Sequence, residues 1–67
     1  LKMKINPRYL KLEKEYAEAD KQYKRAYTHW LNNPTLQNEK AKNTAESHMN
    51  AIWNILQNVP GWIEDEQ

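Results

Sequence analysis

The sequence predicts an all-α protein, an antiparallel two-helix hairpin that packs like a coiled coil. Each half of the chain carries a row of apolar or aromatic residues at alternating spacings of three and four, and an Asn-Pro pair precedes each row. Such a repeat is typical of a helix that lies along another helix. We expect the hairpin to be completed to a helical bundle, either by self-association or by a partner.

Helix 1 is expected to span residues 7–32. Asn6 is a favoured N-cap, and Pro7 suits the first helical position because its φ is preset and it has no amide hydrogen. The row in this helix alternates large rings with Leu or Ala. The predicted seam of helix 1 consists of Tyr9, Leu12, Tyr16, Ala19, Tyr23, Ala26 and Trp30.

Helix 2 is expected to span residues 34–58, with Asn33 as its cap and Pro60 as its stop. A connection this short makes the helices antiparallel neighbours, so residues whose numbers sum to about 64 should face each other. Tyr16 would then face His48. The predicted seam of helix 2 consists of Ala41, Ala45, His48, Ile52, Ile55 and Val59.

The chain is read as one domain, 1–67, with a short segment outside the helices at each end. Residues 1–6 alternate apolar and basic side chains, but a single strand has no pairing partner in a helical chain, so we expect an extended arm. Residues 59–67 are expected to form an acidic tail. The start at Leu1 suggests processing or a fragment.

Composition excludes several classes of protein. The 67 residues include no Cys and only two His, which argues against disulfides and against a structural zinc site. No apolar run approaches the roughly 20 residues of a membrane span, and we expect no cofactor. The compartment is not encoded in any motif, although a soluble, intracellular protein is favoured.

The hairpin seam does not use all the apolar surface. The apolar residues of each helix cover an arc of about 160°, wider than one neighbouring helix covers. The residues predicted to bind a partner are Trp53, Met49, Leu56, Tyr27 and Trp62. An alternative is that Trp62 and the terminal arms fold back over Trp53.

Two further sets of residues carry weaker signals. Ser47 and His48 are adjacent, but neighbouring helix residues point about 100° apart, so they do not form a nucleophile and a base. A basic cluster near the N-terminus, which either contacts phosphates or is compensated by the acidic tail, consists of Lys2, Lys4, Arg8 and Lys11.

Two segments resemble known families. Residues 16–27, followed by Pro34, resemble the second helix of a tetratricopeptide repeat, although the pattern does not recur at the period of about 34 residues. Residues 34–39 and 59–62 resemble patches of a small accessory subunit of mitochondrial respiratory complex I. The latter resemblance implies a subunit of a larger complex, without that family's membrane-spanning helix.

The sequence therefore predicts a non-enzymatic module for protein–protein interaction or assembly. Its leftover apolar faces would dock on another copy, giving a homo-oligomer, or on a larger partner. One alternative is a small nucleic-acid-binding regulator that uses the basic arm, although the net charge of +1 disfavours it. Another is an accessory subunit or fragment of a larger complex.

Overall fold

A computed structural model describes residues 2–65 and shows two long helices between two short strands. The elements are β1 (Lys2–Ile5), α1 (Pro7–Asn32), α2 (Leu36–Gln57) and β2 (Trp62–Asp65). The two helices pack against each other along their lengths, which confirms the predicted all-α hairpin. The strands add a terminal ribbon that the sequence analysis does not predict.

The start of α1 is fixed by Asn6. Its side-chain Oδ1 accepts a hydrogen bond from the backbone N–H of Arg8 at 3.1 Å, and Pro7 follows as the first helical residue. At the other end, the Asn33 N–H donates to the His29 carbonyl at 2.9 Å. Residues 7–32 are thus helical as the Asn-Pro pair indicates.

The second helix begins later than residue 34. Its N-cap is Thr35, whose Oγ1 accepts from the Asn38 N–H at 3.1 Å, and Asn38 in turn donates its Nδ2 to the Asn33 carbonyl at 2.8 Å. Pro34 therefore lies in the connection, and α2 starts at Leu36. It ends at Gln57, and the Asn58 N–H donates to the Ile55 carbonyl at 3.0 Å.

The later start of α2 moves the point at which the chain folds back, and it changes which residues face each other. Tyr16 lies against Trp53 rather than against His48, and Tyr23 contacts Glu46. The residue numbers of facing pairs therefore sum to a value several units higher than predicted, because residues 33–35 add length to the turn.

The seam of α2 is corrected accordingly. Ala41, His48 and Ile55, predicted to face helix 1, are exposed. Ala45 keeps its predicted place as a half-buried residue. The less exposed residues of α2 and the turn after it follow the neighbouring heptad row, which comprises Asn38, Lys42, Ala45, Met49, Ile52, Leu56 and Val59.

The core between the helices is small. Among residues 2–65, the buried ones are Ala19, Ile52, Leu56 and Val59, and no large side chain is fully enclosed. The remaining seam residues of α1, from Tyr9 to Trp30, are half-buried. The rings of helix 1 are therefore only partly covered by the intrachain contact.

The two ends of the chain pair with each other. β1 and β2 form an antiparallel ribbon with Lys2 opposite Asp65 and Ile5 opposite Trp62. The expected extended arm and acidic tail are therefore corrected over residues 2–5 and 62–65, because each segment supplies the strand that the other needs for pairing. Leu1 and residues 66–67 lie outside the described part of the chain.

The ribbon extends the hairpin lengthwise. The 26 residues of α1 span about 39 Å, and four strand residues add about 13 Å. Together these lengths account for most of the long dimension of the molecule, which measures 55 × 15 × 10 Å. The protein is therefore one layer of helices, two helices wide, with its sheet at one end.

Candidate protein-interaction face

Ring contacts, the groove beside Tyr9 and helical-wheel positions place the aromatic residues, three Trp and four Tyr, at the seam and along one broad side of the hairpin. Four of them come from the heptad row of α1, whose rings project from the edge of the seam toward this side. We call this side the aromatic face. Its rings are Tyr9, Tyr16, Tyr23, Tyr27, Trp30, Trp53 and Trp62.

Ring contacts show how the face is assembled. Tyr16 and Trp53 join the two helices, with ring centroids 5.3 Å apart and an interplanar angle of 44°. Tyr27 lies between Tyr23 and Trp30, with centroids 6.0 Å away on each side. Tilted ring pairs at these separations are favourable contacts. They join five of the rings into two groups, a pair that bridges the helices and a row of three on α1.

Charged residues of α2 border the row near the connection between the helices. The Lys42 ammonium lies over the Trp30 ring, 4.4 Å from its centroid, which is a cation–π contact. Desolvation raises the pKa of the Tyr23 phenol above its ordinary value, and the negative charge of Glu46, together with a hydrogen bond to it, raises that pKa further. Both contacts tie α2 to the rings of α1.

At the ribbon end, the aromatic face opens into a shallow groove of 510 Å³. Gly61 lines the groove, and a Cβ added there would be 3.9 Å from the Tyr9 ring. The residues that line the groove are Ile5, Tyr9, Leu10, Glu13, Leu56, Gln57, Val59, Gly61 and Trp62. The groove joins the ribbon to the helices on the same side as Trp53, since Gln57 is one turn from Trp53.

Much of this face remains open to solvent. Trp62 is 59% exposed, Trp53 is 44% exposed and Tyr27 is 40% exposed. The large apolar side chains that stay exposed are Met3, Ile5, Leu10, Tyr27, Leu31, Leu36, Trp53, Ile55 and Trp62. On the helical wheel Ile55 points to the opposite broad side, beside His48. The exposed apolar surface is thus concentrated on the aromatic face.

The residues predicted to bind a partner divide into two groups. Trp53, Tyr27 and Trp62 lie on the aromatic face and are exposed. Leu56 is buried at 7% exposure, and Met49 is half-buried, because both belong to the corrected seam. The terminal arms pair with each other at the end of the helices and leave Trp53 accessible.

Three further apolar residues border the aromatic face. Leu10 follows the heptad residue Tyr9 and was not assigned to any surface. Met3 and Ile5 share one side of the ribbon with Trp62, since alternate residues of a strand point the same way. The alternation of residues 2–5 indicates that Met3 and Ile5 lie on the same side of a strand. Only the pairing with β2 shows that this side is the one that carries Trp62.

The basic residues fall into two places. Lys2 and Lys4 lie on β1, on the side of the ribbon that also carries Asp65, while Arg8 and Lys11 are exposed on the first turns of α1. A second basic surface follows the outer edge of α1. It is an open depression lined by Lys21, Lys24, Arg25, Thr28, His29 and Asn32.

Other kinds of site find no support in the described residues. Within residues 2–65, no three His, Asp or Glu side chains come together in a way that could hold a metal ion. Neither α1 nor α2 combines the length and apolar character needed to cross a membrane. Every buried side-chain nitrogen or oxygen in this part of the chain has a hydrogen-bond partner.

The chain was compared with known protein families, with curated proteins and with solved structures. Neither the tetratricopeptide nor the respiratory-complex resemblance is supported by these comparisons, because no family model, curated protein or solved structure matches the chain.

Proposed function

We propose that this chain is a non-enzymatic assembly module that binds protein through its aromatic face. The observation that carries the proposal is the grouping of three Trp and four Tyr, by ring contacts and a shared groove, along one broad side of the hairpin, where each is half-buried or exposed. Tyr and Trp are enriched where protein surfaces meet, because they combine apolar area with a polar edge. Because the described residues include only four buried core residues, covering such a face would add substantially to the buried apolar area.

Trp53 is the expected anchor of the interaction. Its ring contacts Tyr16 of the other helix, and 44% of the residue is exposed to solvent. An ordered ring loses little conformational entropy when a partner covers it, which favours binding. Residues of this type near the centre of an interface commonly contribute most of its affinity.

The test compares two substitutions on opposite sides of α2. Trp53→Ala removes the anchor, and Ile55→Ala removes a side chain of similar exposure, 46%, from the other side. Sedimentation velocity and retention of proteins by the immobilised chain measure association. We expect Trp53→Ala to weaken it by about 2 kcal/mol or more and Ile55→Ala to leave it nearly unchanged. Equal effects of the two changes would argue against the aromatic face.

A second proposal is a nucleic-acid-binding regulator. The basic outer edge of α1 is a better candidate for its phosphate-binding surface than the terminal arm. Lys21, Lys24 and Arg25 share one open surface there, although Lys24 also pairs with Asp20 at 3.0 Å. Phosphate contacts give an affinity that falls steeply with salt. Fluorescence anisotropy with a generic duplex, measured at several salt concentrations, tests this proposal. A flat salt dependence or no binding would exclude it.

A further inference from the structure

We infer that the aromatic face is covered by a second copy of this chain, packed antiparallel around a two-fold axis at the level of Tyr16 and Trp53. This inference rests on the proposed assembly function and specifies its partner. The product would be a closed dimer with two layers of two helices, a four-helix arrangement with a ribbon at each end. A two-fold interface uses the same surface on both copies, so a single face is sufficient.

The surface area of the chain supports a partner of this size. A compact protein of 8.1 kDa is expected to expose about 4,500 Å². This chain exposes 5464 Å². The excess, about 1,000 Å², is similar to the roughly 800 Å² that each partner buries in a standard interface. A second copy would therefore bury about as much surface as this chain exposes in excess of a compact monomer of the same mass.

The position of Trp53 supports the placement of the axis. The four residues of β1 span about 13 Å, and the nine steps from Pro7 to Tyr16 add about 14 Å. Tyr16 and the Trp53 ring against it therefore lie close to the middle of the 55 Å length. An axis at this level brings the two copies of Trp53 together at the centre of the interface and lets the full length of both faces overlap.

The antiparallel arrangement also brings apolar ends together. The ribbon end of one copy, with Ile5 and Trp62, reaches the level of Tyr27 and Leu31 of the second copy, because these residues lie about equally far from Tyr16. All four side chains are exposed in the single chain. The ribbon end of each copy thus covers the connection end of the other copy.

Charge disfavours the parallel alternative. With a two-fold axis along the hairpin, every residue lies beside its own copy, so Glu13 meets Glu13 and Lys24 meets Lys24. Like charges at the same level repel. In the antiparallel arrangement, only residues near the axis meet their own copies. Glu13 of one copy then lies at the level of Asp20 of the other, whose negative charge is already balanced by Lys24 at 3.0 Å.

Spin-label distances test the inference directly, since the chain contains no Cys. Ala17→Cys and Thr28→Cys place nitroxides on exposed positions of the same side of α1, one near the proposed axis and one far from it. In the antiparallel dimer, the two Thr28 labels are about 36 Å apart along the length of the hairpin, and the two Ala17 labels lie within a few Å of the same level. In a parallel dimer both pairs lie at the same level and give similar short distances.

The controls separate the inference from the function on which it rests. In the Ala17→Cys background, Trp53→Ala should abolish the dipolar signal while Ile55→Ala preserves it. If Trp53→Ala reduces helicity, Trp62→Ala replaces it as the variant that disrupts the aromatic face, because Trp62 lies outside the helices. Similar short distances at both labels would overturn the antiparallel dimer. A monomeric mass without dipolar signal would overturn the second copy. In that case, the assembly function survives only if Trp53→Ala still reduces retention of other proteins.

Discussion

Tyr16 and Trp53 pack against each other across the hairpin, 5.3 Å between ring centroids, and are the aromatic pair that links α1 to α2. The contact shows that Tyr16 and Trp53 lie at the same level of the two helices. It also orders Trp53 while leaving 44% of that residue exposed. One contact therefore serves both the intrachain packing and the surface proposed to bind a partner.

The coupling between these rings can be measured by a double-mutant cycle. We expect Tyr16→Leu and Trp53→Leu each to lower the free energy of unfolding, with a coupling of about 0.5–1.5 kcal/mol, because tilted ring pairs add energy beyond area burial. Denaturant melts of the two single variants and the double variant give the value. Strict additivity would show that the rings do not interact in solution.

The corrected seam of α2 predicts opposite outcomes for two neighbouring residues. Leu56→Ala should lower the free energy of unfolding by about 2–4 kcal/mol, since Leu56 is 7% exposed and its loss leaves a cavity. Ile55→Ala should change it by less than about 1 kcal/mol, because Ile55 is exposed. Chemical denaturation of both variants decides between the heptad rows. A larger effect at Ile55 would restore the row that contains His48.

Asn6 connects the start of α1 to the C-terminal segment. Its Nδ2 donates to the Pro60 carbonyl at 2.9 Å, and its backbone N–H donates to the Gly61 carbonyl at 2.9 Å, while its Oδ1 caps the helix. Asn6→Ala should therefore lower the free energy of unfolding by about 1–2 kcal/mol.

Asn6→Asp keeps the capping oxygen but loses the side-chain donor, so thermal melts should place it between the wild type and Asn6→Ala. Thr35→Ala is the matched control, because it removes only a cap. An Asn6→Asp variant as unstable as Asn6→Ala would mean that the capping oxygen contributes little.

The ribbon predicts a position-dependent effect of proline. The Asn6–Gly61 hydrogen bond makes Lys4–Ile63 the next hydrogen-bonded pair, so the Lys4 N–H points into the ladder and the Met3 N–H points outward. Lys4→Pro should raise the amide exchange rate of Ile63 and lower stability by about 1 kcal/mol. Met3→Pro should preserve the protection of Ile63, with Met3→Ala as the side-chain control. The reverse order would indicate a ribbon shifted by one residue.

Alkaline pH should destabilise the hairpin through Tyr23. The pKa of this phenol is raised in the folded state, so the unfolded chain loses the proton first as the pH rises past the ordinary value of 10.0. Stability should be intact below that pH and should fall above it. Spectrophotometric titration should show that Glu46→Gln lowers the Tyr23 pKa. Tyr23→Phe should flatten the decline of the melting temperature with pH, and an unchanged slope would contradict this assignment.

The sequence by itself determined the helical hairpin, because its signals are local. The Asn6–Pro7 pair specifies the start of α1 through a cap and a preset φ, and the heptad row of α1 specifies which side is less exposed. Both depend on residues within a turn or two of each other. The same locality explains why α1 was predicted with its observed bounds.

Only the tertiary structure decided the partner row on α2. Two overlapping rows in this helix share Ala45, Ile52 and Val59 and have the same alternating spacing, so periodicity cannot distinguish the one with His48 from the one with Met49. The choice depends on where the chain folds back. That point is set by the Thr35 cap and by three residues of connection.

The ribbon and the aromatic face also depended on contacts between distant residues. β1 and β2 are far apart in sequence, and each is too short to form a strand without the other, so neither signal is readable alone. Likewise, Trp53 and Trp62 share a side with the rings of α1 because of how the two helices are aligned and how the two strands pair. Neither arrangement can be read from the local sequence. The sequence determined which rings the chain contains, and the packing between helices and strands decided that they share one face.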